Sequence, residues 1–304
     1  MNAPYRLAVT GIGRALPAPG ESAEGWFDHR TRLGRRGYKY LPRASQYLLA
    51  AGRDALADAG IEPSGPVEDI GAVIGTSHGV TALHTQMDAV IRTEGAVALS
   101  PATAAYFSVN LIPSRLAAEH GLRAFNVPVT SAGTAGLESL LVGANAIRYG
   151  RAKHLLAGAT EHPASGSPKR RGDDGAVVLV SGADDGSDCH GTVAVEAGFL
   201  SPLAAGDPVE RARAWFDRAA ARLQMDEGTP LTFIADDSAV AAAFGKAVDA
   251  RTVESVPGSL QATMAIADAL QDGPPSSAVL VACAGGNTAL ARIERKGNRH
   301  AGTD

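Results

Sequence analysis

Two cysteines, eight histidines and one turn of small hydroxyl residues are the parts of this 304-residue chain that chemistry would use first. Cys189 stands beside His190, and an imidazole that takes a thiol proton makes a nucleophile. Its frame, G-A-D-D-G-S-D-C-H-G, has the composition of a polar turn, which is the competing reading for the pair. Cys283 lies in an apolar strand and is expected as a small buried filler. Thr130 and Ser131 fall in the turn V-T-S-A-G-T-A-G, where a strand gives way to a helix whose N-terminus favours an anion. A hydroxyl there becomes an acyl-transfer or hydrolytic nucleophile only with a base in hydrogen-bond reach. His162, ending the neighbouring strand, is the candidate base.

The remaining polar groups read as ordinary surface chemistry. Asp173-Asp174, Asp184-Asp185 and Asp236-Asp237 offer metal ligation or general acid catalysis. Each pair adjoins a strand boundary, where aspartate caps turns, so neither a metal nor a cofactor is expected. His78, in G-T-S-H-G-V, follows a strand and reads as a turn residue. Lys169, Arg170 and Arg171 form a basic cluster that suits a solvated loop or a contact with a carrier-protein phosphate. A formal charge of −4 and a pI near 6.1 argue against a broad nucleic-acid footprint. No apolar run reaches the roughly 20 residues that cross a bilayer, and M-N-A-P-Y-R lacks a secretory apolar stretch. With only two cysteines there is no disulfide framework, so a reducing, cytoplasmic setting is expected.

Strands and helices alternate along the chain, which predicts an α/β protein with sheets covered on both faces. The first half reads as strand Arg6–Thr10, helix Ser45–Ala59, strand Ala72–Thr76, further helices, strand Phe125–Val129, helix Thr134–Tyr149, and strands His154–Ala159 and Ala176–Ser181. The second half repeats the order with strand Thr192–Gly198, helix Pro208–Gln224, strand Leu231–Ala235, helix Ser238–Val248 and strand Thr252–Val256. It closes with helix Leu260–Leu270 and strands Ala278–Ala282 and Ala289–Glu294. This duplication divides the chain into halves of residues 1–185 and 186–304, together one compact unit.

The run A-F-N-V-P-V-T-S-A-G-T-A-G-L-E-S-L-L resembles the nucleophile turn of the ketosynthase (β-ketoacyl synthase) family of the thiolase superfamily. Several other stretches fall in the family's order. They are Y-R-L-A-V-T-G-I-G-R-A-L-P at the start, which resembles the family's opening strand and glycine turn, Q-Y-L-L-A-A-G-R-D-A-L-A-D-A-G-I, L-S-P at Leu99–Pro101, Asn110, G-D-D-G-A-V-V-L-V, and A-G-G-N-T-A-L at Ala284–Leu290. The resemblance implies a five-layer αβαβα sandwich with two central helices. It also implies a chain trimmed between Glu161 and Gly172, around Asp184–Gly191 and around Leu200–Asp207.

The same resemblance implies that the catalytic triad is gone. Aligned on Gly136-Leu137, the acyl-carrying cysteine is replaced by Gly133, and the two histidines by Asp236 and Ser259. A glycine holds no thioester. The implied function is therefore that of a chain-length factor, the silent half of a type II polyketide heterodimer. Its partner would be a catalytic ketosynthase, paired through Phe125, Asn126, Val127 and Val129. Acyl carrier protein would be reached through that complex. Thr81, His84 and Asp88, one face of a helix upstream of the turn, are the candidate tunnel-lining residues. None is a bulky aromatic plug, which implies room for long, reduced or polyene chains. Two other readings stay open: a thiolase-fold acyltransferase or hydrolase using Ser131, and a scaffold that holds ketosynthase and carrier protein without setting length.

Overall fold

The computed structural model describes residues 4–18, 25–63, 65–163, 173–186, 188–254 and 259–297. The strands are β1 (Leu7–Ala15), β2 (Ile70–Gly75), β3 (Asn126–Val129), β4 (His154–Glu161), β5 (Gly175–Ala183), β6 (Gly191–Phe199), β7 (Leu231–Ala235), β8 (Arg251–Glu254), β9 (Ser276–Ala282) and β10 (Asn287–Arg295). The helices are α1 (His29–Arg32), α2 (Arg43–Asp58), α3 (Thr81–Glu94), α4 (Pro101–Ala104), α5 (Leu111–His120), α6 (Ala135–Arg148), α7 (Pro208–Arg222), α8 (Ala239–Ala247) and α9 (Leu260–Asp272).

The ten strands run in the order β3-β2-β4-β5-β1-β6-β10-β9-β7-β8. Counted from β6, the second five repeat the first five in mirror order. The pairing repeats too. β2 is parallel to β3 and β4, as β7 is to β8 and β9. The remaining pairs, β4 with β5, β5 with β1, β9 with β10 and β10 with β6, are antiparallel. The two sets join where Leu7, Ala8 and Val9 face Val193, Thr192 and Gly191.

Side-chain alternation builds the layers. On β5, Val177 and Leu179 point to one core, and Ala176, Val178 and Val180 to another. The central core holds Leu137, Leu140 and Ile147 of α6 with Leu260, Met264, Ile266 and Leu270 of α9, packed on both strand sets. Outside one set lie Leu48, Leu49 and Leu56 of α2 with Ile112 and Leu116 of α5. Outside the other lie Ala212 of α7 and Val240 and Phe244 of α8, against Phe233 and Leu280. This is the αβαβα sandwich that the resemblance implied. Each fully buried Leu, Ile or Phe contributes roughly 1.5–3 kcal/mol, so the central pair of helices is held strongly.

Two sequence expectations change in detail. G-I-G near the start reads as a turn ending the first strand at Thr10, but β1 continues to Ala15 across a bulge between Val9 and Gly11. Its glycines serve close packing instead: a Cβ on Gly11 or Gly13 would sit 2.2 or 1.9 Å from the Ala55 or Ala51 carbonyl of α2. The strand expected from Phe125 begins at Asn126, and the Phe125 ring fills the space beside Gly71. Lys169, Arg170 and Arg171 lie outside the described residues.

Candidate functional site

β3 runs into α6 through residues 130–134, and three expected positions gather around the first turn of that helix. Gly133 is buried, with φ +68°, a left-handed conformation that glycine adopts without strain. A Cβ placed on it would lie 3.4 Å from both Cβ and Sγ of Cys283. The Cys283 thiol donates to the Ala132 carbonyl at 2.9 Å. Burial first, and then the nearby Asp236 carboxylate, push this thiol up to about 11. At neutral pH it is a protonated filler, in keeping with its expected role and unlike a reactive thiolate.

Asp236, expected from the resemblance at the first histidine position, organises backbone. Its Oδ2 accepts from Ala284 N at 2.8 Å and its Oδ1 from Ser238 N at 3.1 Å, tying the end of β7 to the glycine turn after β9. Ser259, expected at the second, is fully buried, and its N and Oγ donate to Glu161 Oε1 at 2.9 and 2.6 Å. Glu161 also takes Ser77 N and His78 N, each at 2.7 Å, and Thr76 Oγ1 at 3.3 Å. A carboxylate 1 % exposed is tolerable in a core only when it is satisfied in this way. It locks the end of β4, the turn after β2 and the start of α9 together. Next to it, a Cβ on Gly136 of α6 would lie 2.4 Å from the Ser259 carbonyl.

The alternative nucleophile does not assemble. Ser131 Oγ donates to Glu138 Oε2 at 2.6 Å, and Thr134 Oγ1 donates to Oε1 of the same carboxylate at 2.6 Å. His162 Nδ1 instead lies 2.9 Å from Asp174 Oδ1, beside the Tyr47 ring; the Trp26 indole, stacked on Tyr47, donates to Asp174 Oδ2 at 3.3 Å. The structure thus corrects the Ser131–His162 pairing: each side chain is held by a different carboxylate. Cys189 is buried, and the partner of the neighbouring imidazole is a carboxylate: His190 Nε2 lies 2.7 Å from Asp58 Oδ2. His78 serves its turn through backbone, accepting from Thr81 N and donating to Glu161.

The tunnel candidates share α3. His84 Nε2 lies 2.8 Å from the Phe107 carbonyl, with ring centroids 4.5 Å apart. Asp88 pairs with Arg92 at 3.0 Å on the exposed side, and Thr81 is half-buried in the first turn. Met87 is the one buried residue of this 14-residue helix. A cavity of about 690 Å³ lies elsewhere, between α9 and the β7–β8–β9 strands, lined by Ile234, Arg251, Val253, Met264, Asp268 and Asp272 among others. Among the described residues, no helix is long and apolar enough to cross a membrane. Sequence reasoning missed Glu161 and Glu138. The signal for Glu161 was an acid closing the otherwise apolar strand H-L-L-A-G-A-T-E, a position that demands several donors.

Comparison with known proteins places this geometry. The profile of the β-ketoacyl synthase N-terminal domain matches residues 8–187. The chain belongs to the β-ketoacyl synthase family. Over 137 residues it is 31% identical to 3-oxoacyl-[acyl-carrier-protein] synthase 2 of Vibrio cholerae, covering 44% of this chain and 33% of that protein. It is 29% identical over 202 residues to the tetracenomycin polyketide synthase ketoacyl synthase alpha subunit of Streptomyces glaucescens, covering 54% and 47%. The chain thus spans a third to about half the length of these curated relatives. Among solved structures, the ishigamide ketosynthase/chain length factor superposes with a TM-score of 0.78 at 20% identity, over 96% of this chain and 99% of that one. At that identity the likeness is one of fold.

Proposed function

We propose that this β-ketoacyl synthase homologue is a catalytically silent, chain-length-factor-like subunit that pairs with a catalytic ketosynthase in type II polyketide assembly. One observation carries the reading. The turn that would present the nucleophile instead holds a glycine in a left-handed conformation, closed over by a hydrogen-bonded, protonated Cys283. Asp236 and Ser259 stand where the family has histidines, and both spend their polar groups on backbone or on Glu161. Nothing at this turn forms a thioester or stabilises an enolate.

The named neighbours support a partnered role. One solved relative is titled a ketosynthase/chain length factor, and one curated relative is a polyketide ketosynthase alpha subunit. The edge strand β3 carries Asn126, Val127 and Val129, with Phe125 just before it, as the pairing face. Nearby, α3 and the segment after it expose Ile91, Val97 and Phe107 at 44%, 98% and 59%, apolar side chains that a partner would cover in this proposal. Thr81, His84 and Asp88 are the tunnel wall in this proposal, and decarboxylative condensation on acyl carrier protein belongs to the partner. Residues 1–185 and 186–304 are its two halves, and the cytoplasm is its setting.

The test is co-expression with a catalytic type II ketosynthase, isolation of the complex and mass analysis of its products. A stable one-to-one complex whose product length changes when this chain is omitted is the expected result. Turnover of acyl thioesters by the chain alone, or a covalent acyl adduct on it, would refute the proposal. A complex that forms with no effect on length would leave a scaffold.

A further inference from the structure

From the register of β3 we infer that Pro128 selects a partner, making this sheet edge pair with a different chain in preference to a second copy of itself. The inference rests on the pairing face proposed above. Asn126, Val127, Pro128 and Val129 lie opposite Ala72, Val73, Ile74 and Gly75 in a parallel ladder. Ala72 N donates to the Phe125 carbonyl and Thr76 N to the Val129 carbonyl. In such a ladder the backbone groups of alternate residues face the neighbour, so Val127 and Val129 turn theirs to β2, and Asn126 and Pro128 turn theirs outward. β3 ends the sheet, which leaves this outward row for a partner.

The missing N–H of proline therefore costs β3 nothing inside the subunit and falls wholly on the outer edge. A second copy related by a two-fold axis would lay its β3 antiparallel to this one. Centred on Val127, that pairing sets Asn126 opposite the copy's Pro128, and Pro128 opposite the copy's Asn126. Each facing pair exchanges two bonds, four in all, and the two prolines remove two of them. Against a strand that carries a donor at every position only one is lost. Any other antiparallel self-register that keeps residue 128 in the ladder also loses two. The edge is otherwise prepared for contact. Ser114 Oγ lies 2.8 Å from both Asn126 Oδ1 and the Asn110 carbonyl, anchoring α5 beside it, and exposed Phe107 stands just before that helix. The occupant that fits is an edge strand of a non-identical chain without proline in register, flanked by apolar side chains.

Sedimentation of the isolated chain as wild type and as Pro128→Val tests the inference. Restoring the donor returns two bonds to the self-pair, and self-association should tighten by about 30-fold; the complex with a catalytic type II ketosynthase regains one bond and should tighten by only about 5-fold, taking each bond at its usual net strength. Pro128→Ala restores the same donor with a small side chain and must move self-association in the same direction if the valine variant folds poorly. Asn126→Pro removes the remaining outward donor and should weaken the hetero-complex. Equal self-association of wild type and both Pro128 variants overturns the inference. Tighter self-pairing of the variants with no ketosynthase binding would uphold it while removing the proposed function, so the two fail separately.

Discussion

Replacing Glu161 with glutamine isolates the buried strut that holds Ser259. On one side of the carboxylate, Oε1 accepts Ser77 N, Ser259 N and Ser259 Oγ; on the other, Oε2 accepts His78 N and Thr76 Oγ1. An amide oxygen placed at the first site keeps those three bonds in weaker, uncharged form. Its NH₂ then faces the His78 N–H, donor against donor. Thr76 Oγ1, which accepts from Gly79 N at 2.8 Å, has a second lone pair for the new NH₂, but the His78 N–H is left without an acceptor. One orphaned amide costs about 1–3 kcal/mol, and neutralising the remaining bonds adds a further ~2 kcal/mol. The expected loss is therefore about 3–5 kcal/mol. With an unfolding entropy near 2.1 cal/mol/K per residue, a chain of this length should melt about 5–8 °C lower. Ser259→Ala keeps the amide bond and removes only the hydroxyl, so about 1.5–3 kcal/mol and ~2–5 °C are expected. Scanning calorimetry of the isolated chain reads both. A Glu161→Gln variant melting within ~1 °C of wild type, or a larger drop for Ser259→Ala than for Glu161→Gln, would refute the strut.

The other expectations concern the degenerate turn and the helix upstream of it. Gly133→Cys should not restore condensation; its Cβ would lie 3.4 Å from Cys283 Cβ, close to disulfide spacing, so mild oxidation should remove two titratable thiols and two hydrogens of mass. Recovery of a stable thioester by that variant would contradict the reading of the turn. Native Cys283, pushed up to about 11, should be roughly one-thousandth thiolate at pH 8, so iodoacetamide should label it slowly until the pH nears 11; rapid labelling at pH 8 would be inconsistent with its burial. Because its folded value is raised above the ordinary 9.0, the stability that the thiol contributes is complete below about pH 9 and is lost as the pH rises through 11. Thr81→Trp or His84→Trp, in the complex with a ketosynthase, should shorten products by mass spectrometry; unchanged product length would remove α3 from the tunnel wall.

Much of the architecture was legible because burial leaves a plain record in residue order. A-V-V-L-V in β5 and A-V-L-V-A in β9 are apolar on successive residues, as strands covered on both faces must be. The helical spacing of Leu137, Leu140 and Ile147 marked α6 as a core helix. G-I-G misled, since glycines that admit a helix against a strand look in one dimension like glycines that turn a chain. Gly133, Asp236 and Ser259 were expected, from the order of the family's motifs, at the nucleophile and histidine positions. The groups they meet could not be read from sequence, because each lies far away in the chain.

Residue types alone, then, determined that no thioester can form at position 133 and that alternating apolar strands and helices stack around two central helices. Tertiary structure decided the rest. It brought Cys283 against a glycine 150 residues earlier and set Glu161 to hold Ser259 across 98 residues. It gave Ser131 and His162 to separate carboxylates and turned the bare nitrogen of Pro128 to the outer edge of the sheet. The physical reason is range: periodicity and backbone chemistry act between neighbours in sequence, whereas hydrogen-bond partners and ladder direction are set by whichever segments packing brings together.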